Sequence, residues 1–383
     1  MSWHGRVYAY FCRNTSLASL TRTSLHCNKR VARPTTATRS CTRDHGTFVQ
    51  APLPRQFKTS DQTIKLVDLR EAVNTDNIVE DLVNDLLSEN PDLTASATHL
   101  FKGGGKYFRP TCVMLMGECC NTGYPDNDKQ REIALITELI HVASLIHDDV
   151  LDSSDTRRTL QTVNSRFNEK VAILSGDYII ARATSKLARL GCSDTITILS
   201  SVIRDLIKGE IHQLNKRSNN HEEQLAMYIE KSYLKTASLI AHGCQAVALN
   251  SGRPHLQHIA YQYGRNMGIA FQLVDDMLDF ISTSEAMGKA AGSDLKLGLA
   301  TAPVLYAAVK HPAMNQLISR GFNEEGDIEL ALEMVKDSNG IKLTKALAQR
   351  YCDKALSDLK QLPESEYRTG LAVLCDLVLN RNS

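Results

Sequence analysis

From Val67 onward, apolar residues recur at three- and four-residue intervals with polar residues between them, the period of a helix that buries one face. Ile78, Leu82 and Leu86, flanked by Val79, Val83 and Leu87, set the pattern. It continues through Ile133 to Leu151, Val171 to Leu190, Thr195 to Leu214, Gln224 to Leu249 and Leu256 to Ile281, and returns from Asp327 to Asn380. The breaks fall at Gly103-Gly104-Gly105, at the polar stretch Asn121 to Lys129, at Gly191-Cys192-Ser193-Asp194, at Lys216 to Glu223 and at the glycine-punctuated run Gly288 to Asp294. No segment alternates with the period of a strand. The pattern predicts an all-α protein of long helices, folded as one large domain over residues 59–383.

Two of these helices carry acids where apolar residues would otherwise be expected. Asp148 and Asp152, with Asp149 between them, close the helix that starts at Ile133, and four-residue spacing sets the first two one turn apart on one face. Asp275, Asp276 and Asp279 repeat the arrangement near the end of the helix from Leu256. Like charges at this spacing repel unless a cation lies between them, so the spacing of Asp148 and Asp152 reads as a site for a hard divalent ion such as Mg²⁺. Two facing acidic helices can hold several such ions around a diphosphate.

Cations accompany the acids. Lys106 and Arg109 sit between the triple-glycine loop and a helix N-terminus, where backbone N–H groups also favour a phosphate, and Pro110 suits the first turn of that helix. His141 lies two turns before Asp148 on the same stripe. Arg157 and Arg158 follow the first acid group and can bind phosphate oxygens in pairs. Lys235 and Thr236 interrupt an apolar helix, a costly position without a partner such as an anionic ligand. Gln272 precedes the second acid group, and Lys289 stands in a loop able to close over a phosphate.

Composition narrows the setting. The 383 residues are 43% hydrophobic and 23% charged, and 44 basic side chains balance 43 acidic ones to a net charge of +1, so there is no global field to hold nucleic acid. Ten scattered cysteines without a CxxC pair read as reduced thiols. No apolar run approaches the roughly 18 residues of a spanning helix. Met1 to Arg43 contains no acid but eight Arg and Lys residues among many Ser and Thr, the composition of a mitochondrial or plastid transit peptide, and residues 1–58 are set aside as that leader or a disordered tail.

Taken in order, these motifs resemble the trans-prenyltransferases, or isoprenyl diphosphate synthases, over Val67 to Asn380. The resemblance rests on two DDxxD motifs at Asp148–Asp152 and Asp275–Asp279, GGK-x-x-RP at Gly104 to Pro110, the pair Arg157-Arg158, KTAS from Lys235 and FQLVDD from Phe271. The run from Ser293 to Ala307 and the basic leader further resemble the mitochondrial decaprenyl-type members, which supply the ubiquinone side chain. The family fold so implied is a bundle of long antiparallel helices around a central cavity.

The resemblance implies an isopentenyl diphosphate site at Lys106, Arg109, His141 and Arg158. It implies an allylic diphosphate site, for a farnesyl or geranylgeranyl primer, at Arg157, Lys235, Thr236, Gln272 and Lys289. The six aspartates Asp148, Asp149, Asp152, Asp275, Asp276 and Asp279 would form the Mg²⁺-dependent catalytic centre, with Asp148, Asp152, Asp275 and Asp279 as the metal ligands. Ala143 and Ser144, five and four residues before Asp148, would line the passage for the growing chain and, being small, leave it open to a long product. A hetero-oligomer with a related second subunit, a mitochondrial matrix location and peripheral membrane contact for product release are implied in the same way. Three positions depart from the family pattern: Tyr107, Thr159 and Leu299, the last standing where short-chain members commonly have a lysine. Two other readings remain. His147-Asp148 is also the dipeptide of metal-dependent phosphohydrolases, which would need further histidine ligands, and a non-catalytic partner subunit could keep the fold, though it should have lost acids or arginines.

Overall fold

The structure is a computed structural model that describes residues 64–75, 77–121, 128–157, 160–214, 220–281 and 292–381. The leader, Arg158, Thr159 and Lys289 lie outside the described residues. As the periodicity predicts, the described chain is overwhelmingly helical. Short helices α1 (Leu66–Ala72), α2 (Ile78–Asp85) and α3 (Pro91–Ala97) lead into α4 (Phe108–Cys120) and the long α5 (Asp128–Leu151). The expectation of no strand is corrected by a two-residue hairpin, β1 (Thr156–Arg157) with β2 (Leu160–Gln161), in which Arg157 pairs with Leu160. Two residues per strand are too few for an alternating pattern to register.

Beyond it run α6 (Val163–Phe167), α7 (Glu169–Arg189), α8 (Ser193–Leu214), α9 (His221–Ser232), α10 (Ser238–Leu249) and α11 (Gln257–Ile281). The C-terminal part comprises α12 (Ser293–Lys296), α13 (Ala302–Lys310), α14 (Met314–Arg320), α15 (Asp327–Asp337), α16 (Gly340–Leu359) and α17 (Glu366–Leu379). The single helix expected over Gln224 to Leu249 is divided by a π turn at Tyr233–Ala237. That turn holds Lys235 and Thr236, and the extra residue in its register re-aims them, a device concentrated at functional sites.

The core forms around α10, which is apolar on nearly every side and packs against α4, α5, α8 and α11. A helix buried all round needs neighbours that come close. Gly264 and Gly268, one turn apart on α11, allow this: a Cβ on Gly264 would stand 2.8 Å from the Ile240 carbonyl oxygen, and one on Gly268 2.5 Å from the Ala237 Cα. The same contact therefore fixes the second acid group, at the C-terminal end of α11, relative to the π turn. On the other side α5 packs on α7, where Gly176 accommodates the ring of His147. The cysteines among the described residues are free thiols, and no described helix is long and apolar enough to cross a membrane.

Candidate active site

One cavity of about 510 Å³ opens between the ends of α5 and α11. Its lining includes Asp148 and Asp152 from one helix, Asp275 and Asp276 from the other, and Arg109, His141, Ser144, Arg157, Lys235, Thr236 and Gln272. Residues far apart in sequence thus converge on one space, with acids on two sides and cations between.

Burial drives the charge state of the first acid group. Asp148 is pushed up to about 7, first by loss of solvent and then by repulsion from Glu210 and Asp152, against the attraction of Lys235 and Arg157. Burial also raises Asp152, with repulsion from Glu210 and Asp149 adding to it against the attraction of Lys235 and Arg157. Such carboxylates are short of positive charge, and an all-oxygen donor set of this kind suits Mg²⁺. Among the described residues no three acid, histidine or cysteine side chains are arranged to hold an ion unaided.

Asp149 departs from the catalytic role expected for it. It is only 1% exposed, is not part of the cavity lining and holds Arg157: the guanidinium donates from Nε to Oδ1 and Oδ2 at 2.9 and 3.0 Å. The i+1 position of a helix faces a different direction from i and i+4, so the middle acid of the motif cannot join its neighbours.

The second acid group divides further. Asp275 is exposed at the cavity edge and accepts from Arg381 at 3.1 Å. Asp276 is buried and accepts from Tyr228 Oη and Gln272 Nε2, each at 2.6 Å, and burial pushes it up to about 6. Gln272 Oε1 in turn accepts from the Thr236 hydroxyl at 2.6 Å, which ties the π turn to α11. Asp279, expected to be a metal ligand, does not line the cavity. Its two oxygens accept the backbone N–H groups of Ser293 and Asp294 at 3.1 Å each, so it anchors the start of α12. Asp294, thereby placed, lines the cavity and is pushed up to about 8 by burial and by the charges of Asp276 and Asp279.

The cations also separate. Arg109 donates to His141 Nε2 at 2.9 Å, and both line the cavity. Lys106 is exposed on the loop before α4 and is outside the lining, while the next residue, Tyr107, enters the helix with a positive φ of 47° and is buried, its ring under Arg70. Lys235 pairs with Glu210 and reaches Gln213 Oε1 at 3.4 Å. Arg158 and Lys289 lie outside the described residues.

The two residues expected to govern product length part company. Ser144 lines the cavity, its hydroxyl bonded to the His141 carbonyl at 2.8 Å, whereas Ala143 is fully buried and lines none of it. Farther back along α5, Ile136 and Ile140 meet Ala183 and Leu187 of α7 and Leu199 and Ile203 of α8 around a second, almost wholly apolar cavity of about 90 Å³. His147 bonds to the Ile173 carbonyl at 3.2 Å and abuts Gly176, outside the main cavity lining, which removes the motif on which a phosphohydrolase would depend.

Sequence reading missed Tyr228, Lys231, Glu210, Asp294 and Arg381. Lys231 and Tyr228 precede Lys235 by four and seven residues, a helical stripe that was available as a signal. Arg381 had none, since its approach to Asp275 is purely tertiary.

Comparison with known proteins gives a consistent result. Residues 90–335 match the polyprenyl synthetase family. An all-trans-polyprenyl-diphosphate synthase of Homo sapiens is 46% identical over 310 residues, 80% of this chain and 74% of that protein. The mitochondrial solanesyl-diphosphate synthase 1 of Oryza sativa is 39% identical over 73% of this chain and 69% of that one. A polyprenyl synthase from Caulobacter crescentus, crystallised with calcium and isoprenyl diphosphate, superposes with a TM-score of 0.76 at 31% identity, covering 85% of this chain and all of its own.

Proposed function

The chain belongs to the polyprenyl synthetase family, and on that premise we propose that its main cavity joins isopentenyl diphosphate to an allylic diphosphate primer, repeatedly, to make a long all-trans-polyprenyl diphosphate. The observation that carries this reading is the cavity itself, with acids from two helices and cations between them.

In this reading Arg157, Lys235, Thr236 and Gln272 hold the allylic diphosphate, with Asp148, Asp152, Asp275 and Asp294 as the carboxylates that share Mg²⁺ with it. Bound Mg²⁺ supplies neutralisation of the leaving diphosphate. Arg157 and Lys235 add fixed positive charge where the leaving group gathers negative charge as the allylic C–O bond breaks. Asp149 aims Arg157 at that point. Arg109 and His141 hold isopentenyl diphosphate so that its double bond faces the allylic cation, an orientation effect, and the new C–C bond forms there. Loss of a proton to the released diphosphate completes each five-carbon addition. No protein nucleophile is required, and Ser144 leaves the way open toward the apolar cavity between α5, α7 and α8.

The relatives named for mitochondrial polyprenyl synthesis support a mitochondrial setting and a ubiquinone-tail product for this chain. Transit-peptide cleavage within residues 1–58, a hetero-oligomer with a related subunit and peripheral release at a membrane belong to the same proposal. The test is an assay with labelled isopentenyl diphosphate, farnesyl diphosphate and Mg²⁺, with and without the related subunit. Products beyond twenty carbons are expected; no condensation under either condition would overturn the reading.

A further inference from the structure

The Arg and Lys side chains that line the main cavity divide by what they face. Arg109 meets His141, Arg157 meets Asp149 and Lys235 meets Glu210, all on the α4, α5 and α8 side. Lys231, half-buried on α9, is placed toward α11 and α12: its positive charge bears on both Asp276 and Asp294. Its ammonium stands 5.9 Å from the centre of the Tyr228 ring, whose hydroxyl is bonded to Asp276.

Lys231 also lines a smaller adjoining cavity of about 80 Å³ together with Tyr228, Gln213 and Leu299. All four of these residues line the main cavity too, so the two spaces adjoin along this edge. Across it, Leu299 offers hydrocarbon only. A polyanion seated between α5 and α11 therefore meets a lysine from α9 on this side, with no charge from the segment after α12.

We propose that Lys231 is a binding residue for the allylic diphosphate, gripping it from α9 on the side of the pocket where Leu299 carries no charge. The proposal rests on the prenyl-transfer reading and refines it. Binding oxygens at a distance from the reacting carbon anchors the primer, so its loss acts on primer affinity more than on the homoallylic substrate. The nearness of Lys231 to Asp276 and Asp294 also suits a lysine that offsets their charge only structurally. The two roles separate by substrate.

The experiment uses the full chain, with its related subunit where turnover needs one. KM is measured for farnesyl diphosphate and isopentenyl diphosphate separately, and calorimetry measures the Kd of a farnesyl thiodiphosphate that cannot react readily. For Lys231→Met, similar in length but uncharged, KM and Kd for the farnesyl compound should rise about tenfold while KM for isopentenyl diphosphate stays within about twofold. Lys231→Arg should stay within about threefold of the parent for both substrates, and Lys231→Met combined with Leu299→Lys should regain most of the lost farnesyl affinity. Unchanged farnesyl affinity in Lys231→Met, or equal losses for both substrates, overturns the assignment while prenyl transfer by the parent protein stands. A parent protein that neither turns over nor binds the farnesyl compound would remove both readings.

Discussion

Arg157 and the buried Asp149 form a half-buried, two-pronged ion pair: Nε lies 2.9 and 3.0 Å from the two carboxylate oxygens, and Nη2 lies 2.8 Å from Oδ1. The acid at the centre of the first motif is thus engaged in holding a guanidinium at the cavity wall. Asp149→Asn should leave Arg157 poorly aimed, at a cost of about 2 kcal/mol in stability, since the guanidinium keeps some access to solvent. In kinetics it should raise KM for the allylic primer while the Mg²⁺ dependence stays near that of the parent. Denaturant melts and a Mg²⁺ titration of turnover check both; a tenfold weaker response to Mg²⁺ would return Asp149 to the ligand set.

Asp148 and Asp152 carry the opposite expectation. Replacing either by alanine should abolish condensation with helicity intact by circular dichroism, because the remaining carboxylate and the diphosphate then lack a shared ion. Near-normal turnover in a folded variant would contradict the role given to this pair.

The elevated Asp148 carboxyl, at about 7, makes a pH prediction with a definite sign. An unfolded aspartate ionises near 3.9, so between about 4 and 7 the folded protein holds a proton that the unfolded chain has lost. Stability of the metal-free protein should therefore fall as pH rises through that window, and Asp294, raised to about 8, extends the fall slightly beyond it. Bound Mg²⁺ needs the ionised form, so its affinity should strengthen from pH 6 to pH 8 with proton release. Thermal melts across pH with chelator or Mg²⁺ test this, and Asp148→Asn should make the slope shallower while the part due to Asp276 and Asp294 remains.

Arg109 and Lys106 should no longer behave alike. Arg109 is bonded to His141 inside the cavity, whereas Lys106 is exposed outside its lining. Arg109→Ala should raise KM for isopentenyl diphosphate by about tenfold or more, and Lys106→Ala by about threefold or less. A larger effect at Lys106 would mean that its loop folds over the substrate.

Product length should respond to Ser144 through the passage and to Ala143 through packing. Ser144→Phe narrows the way from the main cavity and should shorten the product to about fifteen to twenty carbons while early additions continue. Ala143→Phe instead overfills a fully buried position and should cost about 1–3 kcal/mol of stability. Product chromatography and melting curves on the two variants separate these effects; a full-length product from Ser144→Phe would place the passage elsewhere.

Helical class and motif positions were legible in the sequence because both follow from local rules: a 3.6-residue period shows which face is buried, and a four-residue spacing puts Asp148 and Asp152 on one face. The glycine breaks likewise marked where helices end. Tertiary structure decided which members of each motif face the cavity. Asp149 turns to Arg157, Asp279 turns to the backbone of Ser293 and Asp294, and Ala143 turns into the core, because direction around a helix depends on which neighbours it packs against. The π turn at Lys235, which Gly268 of α11 approaches closely at Ala237, and the arrival of Arg381 at Asp275, a contact spanning over a hundred residues, have no local sequence signature. The kind of chemistry was therefore written in residue types and spacing, whereas the partners of each charge were set only when distant helices closed around one another.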